Sequence, residues 1–290
     1  MAKPYMIVTD ITSDLPKHFY EDNDVVWVKH GLTIEGKEYW DEFGSAISHQ
    51  AVMAKSREKK AISTLQVQLA DFEQHFTQAA ENGLDVLYVG FSSGLSGTFD
   101  TSCIAADMVR EKHPECEIYC VDSFGATMGH GIQTMEAVKL RSEGKSAKEA
   151  AEILEKKRLQ ACHFFTVDDL FHLFRGGRLS RTSAAVGSLM GIKPVMYVSD
   201  AGRLTPLSKV RGRKASMQEL AKLTAQYIRG TDQTVFITHG DVEDDARELA
   251  GYVQELIPGI DVDIAQLSPV IAAHSGPGTL AIFFWGEKRL

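Results

Sequence analysis

The stretch Ser92-Ser93-Gly94-Leu95-Ser96-Gly97-Thr98 sets hydroxyl side chains among glycines, between a predicted strand ending at Phe91 and the helix that follows. At the mouth of a helix the backbone N–H groups and a serine hydroxyl can point together at an anion, because the first N–H groups have no partner inside the helix. A second pair, Ser63-Thr64, is read as opening the helix before that strand in the same way. In a parallel sheet such turns lie at the carboxyl edge and converge on one crevice. Helix capping alone also accounts for a serine or threonine at either place. Gly94-Leu95-Ser96 begins like the Gly-x-Ser-x-Gly elbow of serine hydrolases, although Thr98 stands in place of the last glycine.

In the second half of the chain, Phe174-Arg175-Gly176-Gly177-Arg178-Leu179-Ser180-Arg181 places arginines around a double glycine. That composition suits bidentate contact with a carboxylate or phosphate where backbone must come close. His274 opens His274-Ser275-Gly276-Pro277-Gly278-Thr279 and is expected on a rigid turn leading into the apolar strand that ends at Trp285. Arg203, Lys209, Arg211, Arg213 and Lys214 fall in a segment without an acidic residue, which favours an anionic partner over this stretch. The acidic run Glu243-Asp244-Asp245 is better explained by the positive end of a helix dipole than by a metal.

Other chemistries lack their signatures. There is no Walker loop with its Lys-Ser/Thr and no His-Glu-x-x-His, and Gly129-His130-Gly131 lacks the third glycine of a dinucleotide fingerprint. Neither a metal nor a cofactor is therefore expected. A net charge of −8 is the wrong sign for neutralising many phosphates, so general nucleic-acid binding is not expected. No apolar run approaches the roughly 18 residues that suggest a membrane span, and the first ten residues lack the core of a signal peptide. A cytoplasmic protein is expected. Cys103, Cys116, Cys120 and Cys162 are too few and too irregularly spaced for a disulfide framework or a zinc knuckle.

Several elements must position these groups. Tyr5 to Thr9, Leu84 to Phe91 and Glu117 to Val121 read as strands followed by helical periodicity, the alternation of a parallel sheet. Helices are expected over Val67 to Asn82 and after Gly97. A short one through Tyr20 is expected with Asp14 as N-cap and Pro16 in its first turn, and one to Lys157 with a Ser146/Glu149 capping box. Beyond it, strands are expected at His163 to Val167, Pro194 to Val198, Arg203 to Val210, Thr234 to Thr238, Ile260 to Gln266 and Thr279 to Trp285. Helices are expected at Thr182 to Met190, Ala215 to Arg229 and Val242 to Leu256. Asp200-Ala-Gly202 reads as a hairpin turn. The fold class is α/β: an N-terminal parallel-sheet α/β domain, residues 1–160, and a C-terminal α+β domain with a mixed or antiparallel sheet, residues 161–290.

Thr9-Asp10-Ile11-Thr12-Ser13-Asp14-Leu15-Pro16, Ser92 to Phe99, Val121-Asp122-Ser123, Phe174 to Ser180, Gly191-Ile192-Lys193-Pro194 and His274 to Thr279 together resemble the DegV family over nearly the whole chain. The resemblance implies a two-domain protein that buries a long-chain fatty acid between or inside its domains. It further implies that the acid is presented to the ATP-binding subunit of a separate fatty acid kinase, which makes the acyl phosphate, and that the carrier has no turnover alone. The family's Ser-x-Leu-Ser-Gly-Thr motif is intact at Ser93 to Thr98, which puts the head group on Ser96 and Gly97. Its Thr-Ser-Gln-Pro motif has become Thr64-Leu65-Gln66-Val67, keeping the threonine. By the same resemblance Arg175 and His274 join the ligand site. Arg178, Arg203, Lys209 and Arg211 are candidates for phosphoryl or partner contacts, and transient membrane contact is compatible with such a carrier. Two other readings stay open: an acyl-transferring serine hydrolase with Ser96 as nucleophile and His274 as base, and a carrier for a different apolar carboxylic acid.

Overall fold

The computed structural model describes residues 3–40, 42–179 and 191–290. The helix expected at Thr182 to Met190, with Ser180 and Arg181, lies outside the described residues. The strands are β1 (Tyr5–Asp10), β2 (Val25–Val28), β3 (Gly31–Ile34), β4 (Lys37–Trp40), β5 (Ile62–Leu65), β6 (Asp85–Gly90) and β7 (Ile118–Asp122). They continue as β8 (Ala161–Thr166), β9 (Ile192–Val198), β10 (Leu204–Arg211), β11 (Thr234–His239), β12 (Asp261–Gln266) and β13 (Leu280–Trp285). Among the described helices are α1 (Lys17–Asp22), α2 (His49–Arg57), α3 (Leu69–Glu81), α4 (Thr98–Lys112), α5 (Met128–Ser142) and α6 (Ala147–Lys157). After them come α7 (Phe171–Arg175), α8 (Arg213–Tyr227), α9 (Glu243–Leu256) and α10 (Pro269–Ser275).

The N-terminal sheet is parallel throughout, in the order β2-β1-β6-β7. Its strands alternate their apolar side chains between two covered faces, as parallel strands must when both sides are dry. Val8, Val86, Tyr88 and Ile118 pack under α3 and α4. Ile7, Leu87, Val89 and Val121 face the opposite way, toward α5. The C-terminal sheet is mixed, in the order β10-β9-β8-β13-β11-β12, with only β11 and β12 parallel. Strand β13 shows the same division: Leu280, Ile282 and Phe284 sit against α8 and α9, while Ala281 and Phe283 turn inward.

Helix α5 lies between the two sheets, touching β6 on one side and β8, β11 and β13 on the other. Every residue from Met128 to Thr134 is buried, so its first two turns have no solvent face. Two of them are glycines because the neighbours come too close for a side chain. A Cβ on Gly129 would lie 1.7 Å from His163 Nε2, and one on Gly131 would lie 2.6 Å from the Ser13 carbonyl.

The capping box forms as expected, with Glu149 N–H donating to Ser146 Oγ and Ser146 N–H donating to Glu149 Oε2 at 2.9 Å. Three local expectations are corrected. Ser63 and Thr64 do not open a helix: they lie on β5, in a three-stranded antiparallel sheet of order β4-β3-β5, and α3 begins only after Gln68. Asp14 does not cap α1. Its backbone is left-handed (φ 55°) and its carboxylate accepts the Ser268 N–H at 3.1 Å, while Pro16 precedes the helix without a side-chain cap. His274 lies in the last turn of the helix α10, not on a turn before the strand.

Gly129→Ala is expected to destabilise the protein. Alanine gains about 1 kcal/mol of helix propensity, but a methyl group at 1.7 Å from an imidazole forces a repacking that costs about 1–3 kcal/mol or more. Urea denaturation should show a lower midpoint, and an unchanged or higher one would mean that the His163 ring moves aside freely.

Candidate functional site

Thr64, on β5 opposite Leu32, donates to or accepts from His274 Nε2 at 2.8 Å. The bond joins the small antiparallel sheet to α10. His274 Nδ1 is buried without a hydrogen-bond partner, and the chain at Gly176 packs against it so closely that a Cβ there would lie 2.2 Å away. Burial, with help from Arg178, His30 and Arg175, pushes the His274 imidazole down to about 3, so it is neutral at ordinary pH.

Ser96 belongs to a loop folded back on itself and tied at both ends. Leu95 and Ser96 N–H donate to the Ser92 carbonyl at 3.0 and 3.1 Å, and Ser92 Oγ donates to the Gly202 carbonyl at 2.8 Å. Ser93 N–H reaches the Asp122 carboxylate at the end of β7 at 3.3 Å. Ser96 Oγ accepts from Thr98 N–H (3.2 Å) and donates to Thr98 Oγ1 (3.0 Å), which accepts from Val67 N–H (3.4 Å). This chain of bonds brings the Thr64-to-Val67 segment beside the Ser96 loop. Arg178 completes the enclosure, with Nε on the Leu95 carbonyl at 2.9 Å and Nη1 on the Gly176 carbonyl at 2.6 Å.

Thr64, Ser96, Arg178 and His274 line one cavity of about 100 Å³, counted as space for the centre of a water-sized sphere. By that measure roughly 10–15 Å³ seats a single water. The remaining wall is chiefly apolar, supplied among others by Phe91, Phe165, Val198, Leu204, Ile271 and Phe283. Both sheets contribute: Phe165 and Phe283 come from β8 and β13, and Phe91 follows β6.

The other expected site residues stand apart from this wall. Arg175 lies behind it, giving Nη1 to the Lys60 carbonyl at 3.1 Å. Gly97 is the exposed residue preceding α4, with Gln66 Oε1 against it. Lys209 and Arg211 on β10, and Arg203 just before it, are exposed and have no ion-pair partner among the described residues. Arg213 of the same basic stretch is committed to Asp245 at 2.7 Å and the Gly278 carbonyl at 2.7 Å. The cavity also has wall residues that no motif flags, His30 and His163. The acidic run at the start of α9 occupies its first turn, and among the described residues no cluster suits a metal ion.

A serine hydrolase needs its nucleophile hydrogen-bonded to its base. Here the Ser96 hydroxyl is bonded to Thr98 and His274 Nε2 to Thr64. An imidazole near 3 is in addition a weak base.

Two α/β layers packed on a shared helix, with a largely apolar cavity edged by hydroxyl, imidazole and guanidinium groups, define the class. The chain belongs to the DegV family: the model of that family, described as uncharacterised proteins, matches residues 4–287. A DegV domain-containing protein of Clostridium perfringens is 40% identical, covering 99% of this chain and 99% of its own. Among solved structures, a DegV family protein of Thermus thermophilus described by its fatty acid binding is 28% identical, with a TM-score of 0.87 over 98% of this chain and 99% of its own. A fatty acid binding DegV family protein of Streptococcus agalactiae is 25% identical, with a TM-score of 0.86 over 99% of this chain and 100% of its own.

The depressed His274 value has a definite sign in a stability profile. Above about 6.5 both folded and unfolded chains hold it neutral; as pH falls from 6.5 toward 3 only the unfolded chain takes up the proton, so stability is lost across that window. The stability of His274→Gln relative to the parent should therefore improve steadily as pH falls below about 6.5 and stay flat above it. Urea midpoints at several pH values measure the difference, and one independent of pH would show that His274 protonates freely in the fold.

Proposed function

We propose that this protein is a fatty-acid carrier that encloses the acyl chain of a long-chain fatty acid in the central cavity and holds its carboxylate on Thr64 and Ser96. The observation that carries this reading is that two side-chain alcohols distant in sequence edge one largely apolar cavity. The Thermus thermophilus and Streptococcus agalactiae relatives, described as fatty acid binding, support it.

Burial of a chain of about 14 methylenes contributes on the order of 10 kcal/mol gross, before ordering costs. The tail thus supplies affinity and the head group supplies orientation. A carboxylate against an apolar wall is costly unless hydrogen-bonded, and bonds to an ionised acceptor contribute about 1.5–3 kcal/mol each. With His274 neutral, a Nε2–H donated to Thr64 leaves the threonine proton free for the acid. Gly97, at the start of α4, adds backbone N–H groups beside Ser96. Arg178 fixes the loop carrying Ser96, and Arg175 shapes the chain against His274.

In this reading residues 1–160 and 161–290 are the two domains, the protein acts in the cytoplasm, and it has no turnover of its own. A separate fatty acid kinase subunit supplies ATP and phosphorylates the exposed carboxylate oxygen, docking on the exposed cations Arg203, Lys209 and Arg211. A carrier of another apolar acid is distinguished by what is extracted.

Organic extraction and mass spectrometry of the purified protein should yield a long-chain fatty acid, and the stripped protein should rebind one. Finding no lipid and no uptake would overturn the reading. Ser96→Ala should weaken binding about 10- to 100-fold, as read by displacement of a fluorescent fatty acid. Lys209→Glu with Arg211→Glu should leave that binding intact and slow acyl phosphate formation by the kinase; unimpaired turnover would remove this surface from docking.

A further inference from the structure

The motif Thr9-Asp10-Ile11-Thr12 carries a carboxylate that fatty-acid binding by Thr64 and Ser96 leaves without a task. Asp10 ends β1 and is fully buried. It accepts hydrogen bonds from Thr12 N–H (3.1 Å), from the Tyr88 hydroxyl (3.1 Å), from Phe91 N–H (3.2 Å) and from the Thr12 hydroxyl. Burial opposes its charge, yet His130, His30 and the Thr12 bond outweigh that and hold its carboxyl well below the usual range. Asp10 is an anion in the interior. Such a group is normally matched by a partner of opposite charge or by a full set of donors.

Three neighbours of Asp10 line the cavity: Thr12 and Phe91, whose donors it already holds, and the titratable side chain of His30. His30 Nε2 stands 3.3 Å from Asp10 Oδ1, and the His30 ring, only 4% exposed, lines the same cavity as Thr64, Ser96 and His274. Topology puts it there: His30 immediately precedes β3, whose Gly31 and Leu32 pair with Leu65 and Thr64 of β5. The charged and titratable groups around it are Asp10 from β1, His130 from α5 and His274 from α10, with Arg178 and Arg175 beyond His274.

An acid head group in this cavity meets few candidates for charge compensation. Thr64 and Ser96 are neutral donors and His274 is neutral. Arg178 has two of its nitrogens committed to backbone carbonyls. His30 has Nε2 at ion-pair distance from a buried carboxylate, without the alignment of a hydrogen bond, and an anion on that side of the ring favours a contact made by its other nitrogen with a ligand. Building on the fatty-acid reading, we propose that His30 is a third side chain on the head group, contacting the bound carboxylate through Nδ1, with Asp10 as its positioning residue.

The test separates charge recognition from shape. Binding of palmitic acid and of hexadecanol, which shares the chain and lacks the carboxylate, is measured on the full-length parent protein, on His30→Gln and on Asp10→Asn. Both variants should lose about 10- to 100-fold in affinity for the acid and keep the parent's affinity for the alcohol. Equal losses for both ligands, or no loss for the acid, would overturn the proposal. Should neither variant fold, a crystal structure of the parent protein with palmitate decides: a His30 Nδ1 within about 3.2 Å of a carboxylate oxygen, or of a water bound to it, supports the contact. A carboxylate turned away from His30 refutes it. A parent protein that binds neither ligand refutes the fatty-acid reading itself, whereas tight palmitate binding unaffected by His30→Gln removes only His30.

Discussion

The hydrogen bond between Thr64 and His274 ties together groups 210 positions apart in sequence, and the cavity exists because that tie and its neighbours hold. Along the same seam Asp14 accepts the Ser268 N–H, His49 Nδ1 meets the Leu267 carbonyl at 2.7 Å, and Ser92 donates to Gly202. Most of these bonds pair a side chain of the first half with backbone of the second, so they fix position without placing two charges face to face. Bonds of this kind contribute about 1 kcal/mol each, but leaving such groups unpaired in the interior would cost more than forming them gains. The seam is therefore specific in register while apolar packing supplies most of its strength.

The core elements were legible because strands buried on both faces read as short continuous apolar runs, as in the parallel strand Asp85–Gly90 and the antiparallel strand Leu280–Trp285. The capping box at Ser146 was equally plain, since its two reciprocal bonds need only residues three apart. The site was half legible. Ser96 announces itself through its loop, but the environment of Thr64 did not. β5 is four residues long with little burial contrast, and its strand character comes from pairing with β3 thirty residues earlier, a non-local cause that local periodicity does not register. The helix carrying His274 has seven residues, too few for a periodic stripe to emerge before Gly276 ends it. Asp14 misled because an aspartate ahead of a proline looks like a cap, whereas its left-handed backbone turns the carboxylate across the seam to Ser268. His30 sits in no motif at all; only the pairing of β3 with β5 brings it to the wall.

Histidine is used here mainly as a polar aromatic of variable charge kept discharged. Burial lowers the values of His49, His130, His163, His172, His239 and His274. Around a largely apolar cavity this has a clear physical merit, because a neutral ring packs like an aromatic, as His163 does edge-on to Phe283 at 5.6 Å, and still offers a donor or acceptor.

The placement of α5 limits how the cavity can be filled. Because the first two turns of this helix are covered on every side and serve both sheets at once, pulling the halves apart like the covers of a book would strip one continuous interior and carry a penalty comparable to unfolding. Whatever enters the cavity without that penalty has to pass its rim while both sheets keep their places, so entry depends on the residues at the rim and not on a hinge between the halves.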